Sequence, residues 1–162
     1  MNHPGDIGIS GRKIAILMAD GVDDTSVDKV VKALEAQRAR PMLLGPTSAP
    51  VKTAGGKQLP VDASMEGMPS VMFDGVWVPA GKASLEALEN SGVAKHFLLE
   101  AYKHLKPMGV ASEGKLLLNK LGLKEDAGLL LGDDQKAFEA FFKAVEGHRV
   151  WAREAAAEAI PA

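Results

Sequence analysis

The sequence predicts a doubly wound, mostly parallel α/β domain of flavodoxin-like type with an inserted β-hairpin. Three observations predict it. Lys13 to Met18 and Gly75 to Val78 are short apolar runs suited to strands covered on both faces. Between and after them lie segments with apolar residues at helical spacing. Gly55-Gly56, flanked by two short strand-like segments, supplies the positive φ that a tight hairpin needs.

The elements follow in order. Residues 1–12 read as a linker, because Asn2, Pro4, Gly5, Gly8, Ser10 and Gly11 break any periodicity. Residues 13–151 read as one α/β domain, and residues 152–162 as an Ala/Glu-rich tail with Pro161 near its end. After the first strand and a loop at 19–24, Val27, Val30, Val31 and Leu34 form the stripe of an amphipathic helix. Thr25 and Asp28 have the spacing of a capping box at its start. A strand at 41–45 completes a right-handed βαβ unit. The hairpin takes 51–53 and 58–61, and a loop covers 62–70.

The segment 71–79 contains the second buried strand and stops at Pro79-Ala80-Gly81. Helices are expected at 84–89 and 93–105, the second with Ala94, Phe97, Leu98, Ala101 and Leu105 on one face and Pro107 beyond its end. A strand at 108–111, a helix at 115–121 and an edge strand at 129–131 follow. Asp133 and Asp134 are placed to cap a last helix carrying Phe138, Phe141, Phe142 and Val145. Tyr102, Trp77 and Trp151 read as packing or interface residues.

Composition limits the function classes. Hydrophobic residues make up 46% and charged residues 25% of the 162, as in ordinary globular domains. The net charge of −2 and the absence of a basic stripe argue against a nucleic-acid surface. No apolar run is long enough to span a bilayer as a helix, and residues 1–13 lack the apolar region of a secretory signal. The expectation is a cytoplasmic protein with neither nucleic-acid nor membrane partners. With no cysteine there is no disulfide, no thiolate ligand and no thiol nucleophile. His3, His96, His104 and His148 are scattered and read as surface or capping residues. No cofactor is expected.

Ligands of open α/β sheets bind beyond the carboxyl ends of the strands, which singles out residues 19–24, 79–82 and 111–114. The first loop carries Asp20, Asp23 and Asp24. Three carboxylates repel a phosphate; they are candidate ligands for a hard cation, or else helix-capping groups. The third loop, Val110-Ala111-Ser112-Glu113-Gly114, lies where a nucleophile elbow sits. Ser112 is the candidate nucleophile and Gly114 matches the last glycine of G-x-S-x-G, but Val110 replaces the first. The competing role for Ser112 is helix N-capping.

The stretch from Lys13 to Asp24, with Phe73-Asp74-Gly75-Val76-Trp77-Val78-Pro79-Ala80-Gly81, resembles the DJ-1/PfpI superfamily, related to class I glutamine amidotransferase domains. Active members carry a cysteine at the elbow and an acid near the position of Ser26. Here Val110-Ala111-Ser112 and Ser26 stand instead, so the resemblance implies the fold without the chemistry. A longer resemblance is carried by Gly11-Arg12-Lys13, by Glu100-Ala101-Tyr102-Lys103-His104-Leu105-Lys106-Pro107, by His148-Arg149-Val150-Trp151 and by the Ile160-Pro161-Ala162 ending. Together these resemble the C-terminal domain of large-subunit haem catalases. That resemblance implies a non-catalytic accessory domain, following a catalase core and acting in assembly, stability or holdase-like protection under oxidative stress. It also implies a homo-oligomer and a catalase core domain as partners. Two alternatives stand beside it: a hydrolase or glyoxalase using Ser112, and a small-molecule or partner-binding module at the strand tips.

Overall fold

The computed structural model describes residues 9–123, 129–132 and 134–147, with Ser112 described by its backbone alone. Its centre is a six-stranded parallel sheet. The strands are β1 (Lys13–Leu17), β2 (Arg40–Gly45), β5 (Ala63–Ser64), β6 (Gly75–Val78), β7 (Met108–Val110) and β8 (Leu129–Leu131), in the order β5-β2-β1-β6-β7-β8. With the two-residue β5 set aside, the five remaining strands follow the flavodoxin-like order 2-1-3-4-5. The antiparallel hairpin of β3 (Val51–Lys52) and β4 (Gln58–Leu59) replaces a helix in the crossover from β2 to β5.

Side-chain alternation assigns the two faces of the sheet. From β1, Ala15 and Leu17 point into one core, and from β6 so do Val76 and Val78. That layer is closed by α2 (Lys82–Glu89), α3 (Gly92–Lys103) and α4 (Lys115–Leu121). Ile14, Ile16 and Trp77 point the other way, beneath α1 (Asp24–Ala36) and α5 (Gln135–Glu146). Trp77 packs against Phe138 and Phe141 with ring centroids 5.1 Å from each. Across β7 it occupies the space a side chain at Gly109 would fill, which is why that position needs glycine. Tyr102 is buried in the α3 layer. Packing begins before β1: Ile9 is 2% exposed, and the Gly11 amide donates to the Arg38 carbonyl at 2.9 Å.

Three sequence expectations need correction. The cap of α1 is Asp23, whose carboxylate accepts from the Thr25 amide at 2.9 Å; Asp28 instead faces Lys32, one turn on, at 3.6 Å. The stretch 62–70 is not all loop. The Asp62 carboxylate accepts from the Leu43 amide at 2.7 Å and the Asp62 amide donates to the Leu43 carbonyl at 2.7 Å, which sets β5 in register beside Leu44–Gly45. The strand within the segment 71–79 is Gly75–Val78, as expected, and Ser70–Met72 ahead of it form a 3-10 turn. Helix α3 ends at Lys103, because Leu105 takes a left-handed φ of 63°. The Lys106 amide then reaches the Ala101 carbonyl and the Leu105 amide the Tyr102 carbonyl, the paired bonds of a Schellman end.

Candidate functional site

The sheet reverses its winding between β1 and β6, so the loops after these strands diverge and leave a crevice at their carboxyl ends. In this chain the loops are stitched together. The Ser26 hydroxyl, on α1, accepts from the Ala80 amide in the β6 loop at 2.8 Å. Reciprocally, the Ser84 hydroxyl, on α2, accepts from the Ala19 amide in the β1 loop at 2.9 Å. The Asp23 amide donates to the Ala80 carbonyl at 2.9 Å. Both serines are buried, so each satisfies a backbone N–H that water cannot reach.

Gly81 completes the joint. Its φ is +130°, and a Cβ there would lie 2.6 Å from the Gly21 carbonyl oxygen and 2.8 Å from the Asp23 nitrogen. Only glycine permits both the conformation and the approach. Gly21 in turn packs directly on Ala83. Gly81 is also the N-cap of α2, the kind of position where backbone N–H groups and the helix dipole attract an anion. The Glu113 carboxylate accepts from the Gly81 amide at 3.3 Å, so a side chain of the β7 loop supplies the negative charge there.

Outside this joint lies an open cleft of about 630 Å³ lined by residues that include Asp20, Asp23, Lys52, Lys82 and Glu113. Its charges alternate in sign, and its carboxylates are engaged with backbone amides. Asp20 accepts from the Lys52 amide at 2.9 Å, holding the hairpin against the β1 loop. Asp23 caps α1, and Asp24 faces a separate groove shared with Lys57 of the hairpin. The structure therefore divides the three sequence-predicted aspartates between two grooves. Among the described residues no three His, Asp or Glu side chains gather as a metal-binding group.

Ser112 opens a 3-10 turn, Ser112–Gly114, after β7. The N-cap position of α4 is Gly114, two residues further on, which corrects the expectation that Ser112 caps that helix. The side chain of Ser112 lies outside the described residues. Behind the turn, Val110 fills the space where a side chain at Gly114 would stand. His96 is exposed and 3.1 Å from Glu100, and His104 is the exposed C-cap residue of α3. His3, His148, Asp133 and Trp151 lie outside the described residues. Asp134 caps α5, accepting from the Ala137 amide at 2.8 Å.

Sequence reasoning missed Ser84 and Glu113. Ser84 sits three residues after Gly81 in a segment read only as the start of a helix, and nothing in its neighbours announces a bond to Ala19, 65 residues away. Glu113 was visible as a charge beside the elbow, but its partner Gly81 lies 32 residues off.

A family profile described as the C-terminal domain found in long catalases matches residues 10–155. The chain belongs to this family of catalase C-terminal domains. It is 73% identical over its whole length to catalase HPII of Pseudomonas putida, and 43% identical over 95% of its length to catalase HPII of Pseudomonas aeruginosa. In both cases the chain spans about a fifth (22%) of the relative's length. Among solved structures, Drosophila melanogaster DJ-1beta superposes with a TM-score of 0.73 at 16% identity, covering 92% of this chain and 96% of that one. Schizosaccharomyces pombe DJ-1 gives 0.68 at 14% identity, covering 91% and 97%. At these identities the catalase C-terminal domain shares the DJ-1 fold, and the likeness extends no further.

Proposed function

We propose that this chain is a non-catalytic accessory domain of a long catalase, stabilising the larger protein and its assembly. The observation that carries the reading is the stitched crevice. Ser26, Ser84 and Gly81 spend on internal bonding the place where doubly wound folds hold ligands, and the chain has no cysteine to serve as a thiol nucleophile. A catalase core as partner, self-association in the assembled protein and a cytoplasmic location go with this reading. Among the described residues no helix is long and apolar enough to cross a membrane. A holdase-like role under oxidative stress is the finer part of the proposal, supported by the exposed apolar side chains Val71, Met72 and Leu116.

The test uses Pseudomonas putida catalase HPII with its matching segment replaced by this chain, compared with the same catalase lacking the segment. Initial peroxide turnover is expected to be equal in the two. The half-life against thermal inactivation is expected to fall about tenfold or more without the domain. Equal half-lives and equal assembly states would reject the accessory role. For the holdase role, the purified chain should slow the aggregation of a heat-denatured client protein; an unchanged aggregation rate would remove that part alone.

A further inference from the structure

The chain has seven methionines and no cysteine, so thioethers are the only sulfur it offers to an oxidant. All but Met1 fall within the described residues, and the fold treats them unequally. Met18 and Met108 are fully buried, and Met65 is 3% exposed. Met42 and Met68 are partly buried, packed against the core layer that α2, α3 and α4 close. Among the described methionines Met72 alone is exposed, at 49%.

The local backbone sets this exposure. Pro69 precedes the 3-10 turn Ser70–Met72, and the Met72 amide donates back to the Pro69 carbonyl at 3.0 Å. Ser70 and Phe73 are buried, and Phe73 meets Phe97 of α3 with ring centroids 6.1 Å apart. Just beyond, the Asp74 carboxylate accepts from the Lys13 amide at 2.9 Å. These anchors do not involve the Met72 side chain, which the turn leaves in solvent beside Val71.

Solvent decides the reactivity of a thioether. A sulfur lone pair attacks one oxygen of a hydroperoxide, the O–O bond breaks and an S–O bond forms. Sulfur loses two electrons to the peroxide. The departing oxygen takes up the proton carried by the transferred one and leaves as water or an alcohol. Charge separates as the O–O bond breaks, and water stabilises that charge where an apolar core does not. The product matters as much as the rate. A sulfoxide is polar, so in the core it would be buried without a partner, whereas at residue 72 it is hydrated.

We infer that Met72 is a site of modification by hydroperoxides, oxidised ahead of the other described methionines and without loss of the fold. The test exposes the purified 162-residue chain to hydrogen peroxide and times the gain of one oxygen at each methionine by tandem mass spectrometry. Met72 is expected to react at least about fivefold faster than Met42 or Met68, and the difference is expected to vanish in urea, where all are equally solvated. Chain carrying one added oxygen, at Met72, keeps the urea midpoint of the parent, and Met72→Leu removes the fast phase. A smaller ratio in the folded chain would overturn the inference. So would a preference for Met72 that persists in urea, because it would not then come from the fold. A lowered midpoint on oxidation of Met72 alone would overturn it as well, by showing that the side chain supports the core.

Discussion

The crevice between β1 and β6 and the Ser70–Met72 turn beside α3 treat their polar and apolar groups in opposite ways. In the crevice the Ala19, Asp23, Ala80 and Gly81 amides all have partners, and glycines at 21 and 81 let the two loops touch. Beside α3 the buried Ser70 hydroxyl has no partner among the described residues, and the neighbouring Val71 and Met72 stand in solvent. The difference separates inheritance from use. The fold supplies a crevice at its topological switch point, and in this chain the two loops that border it are bonded to each other, with an open cleft outside the joint. Among the described residues, the unpaired Ser70 hydroxyl and the exposed Val71 and Met72 lie away from that crevice.

If that contrast is right, substitutions in the crevice change stability and substitutions at Val71 and Met72 do not. The largest effect is expected from Gly81→Ala. It combines a left-handed φ with a collision against the Gly21 carbonyl and should destabilise the isolated chain by about 3 kcal/mol in urea unfolding. A loss below about 1 kcal/mol would mean the two loops can separate freely. Next come Ser26→Ala and Ser84→Ala. Each leaves a buried backbone amide without its acceptor, at about 2 kcal/mol, and the double variant should lose less than the sum because both serines hold one joint. Strict additivity would show that the two stitches act independently.

A smaller effect is expected from Glu113→Ala, which removes the negative charge from the start of α2. The loss should be under about 1 kcal/mol and shrink with added salt. Smallest of all, Val71→Ser and Met72→Ser should stay within about 0.5 kcal/mol of the parent chain, because these side chains are already exposed in it. A large loss at either position would mean that these side chains belong to the core of the domain, and the contrast would fail.

The sequence made the frame of the sheet legible but not its joints. β1 and β6 stand out because a strand buried on both faces must be apolar throughout. The hairpin showed itself through Gly55-Gly56, and Gly56 does take a positive φ of 86°. β5 left no trace, since two residues carry no period and its register depends on Asp62 bonding to β2. The end of α3 was misplaced because Leu105 continues the apolar stripe while its backbone has already turned left-handed. At the strand tips, the absence of a cysteine could be read directly, as could serine at position 26. The closure of the crevice could not, because it consists of side-chain bonds to amides 54 and 65 residues away. The exposed turn was hidden for a different reason. Val71 and Met72 carry no turn signal, yet a 3-10 turn, Ser70–Met72, leaves both exposed while Phe73 beside them is buried.

The central claim is that the strand-tip crevice is a structural joint and not a reaction centre. Its most direct test is the rate at which the purified 162-residue chain turns over activated esters and methylglyoxal, compared with Ser112→Ala. The account predicts equal rates for the two proteins, both at the level of the buffer reaction. A parent rate well above that background that falls on Ser112→Ala, with the fold intact by circular dichroism, would contradict it.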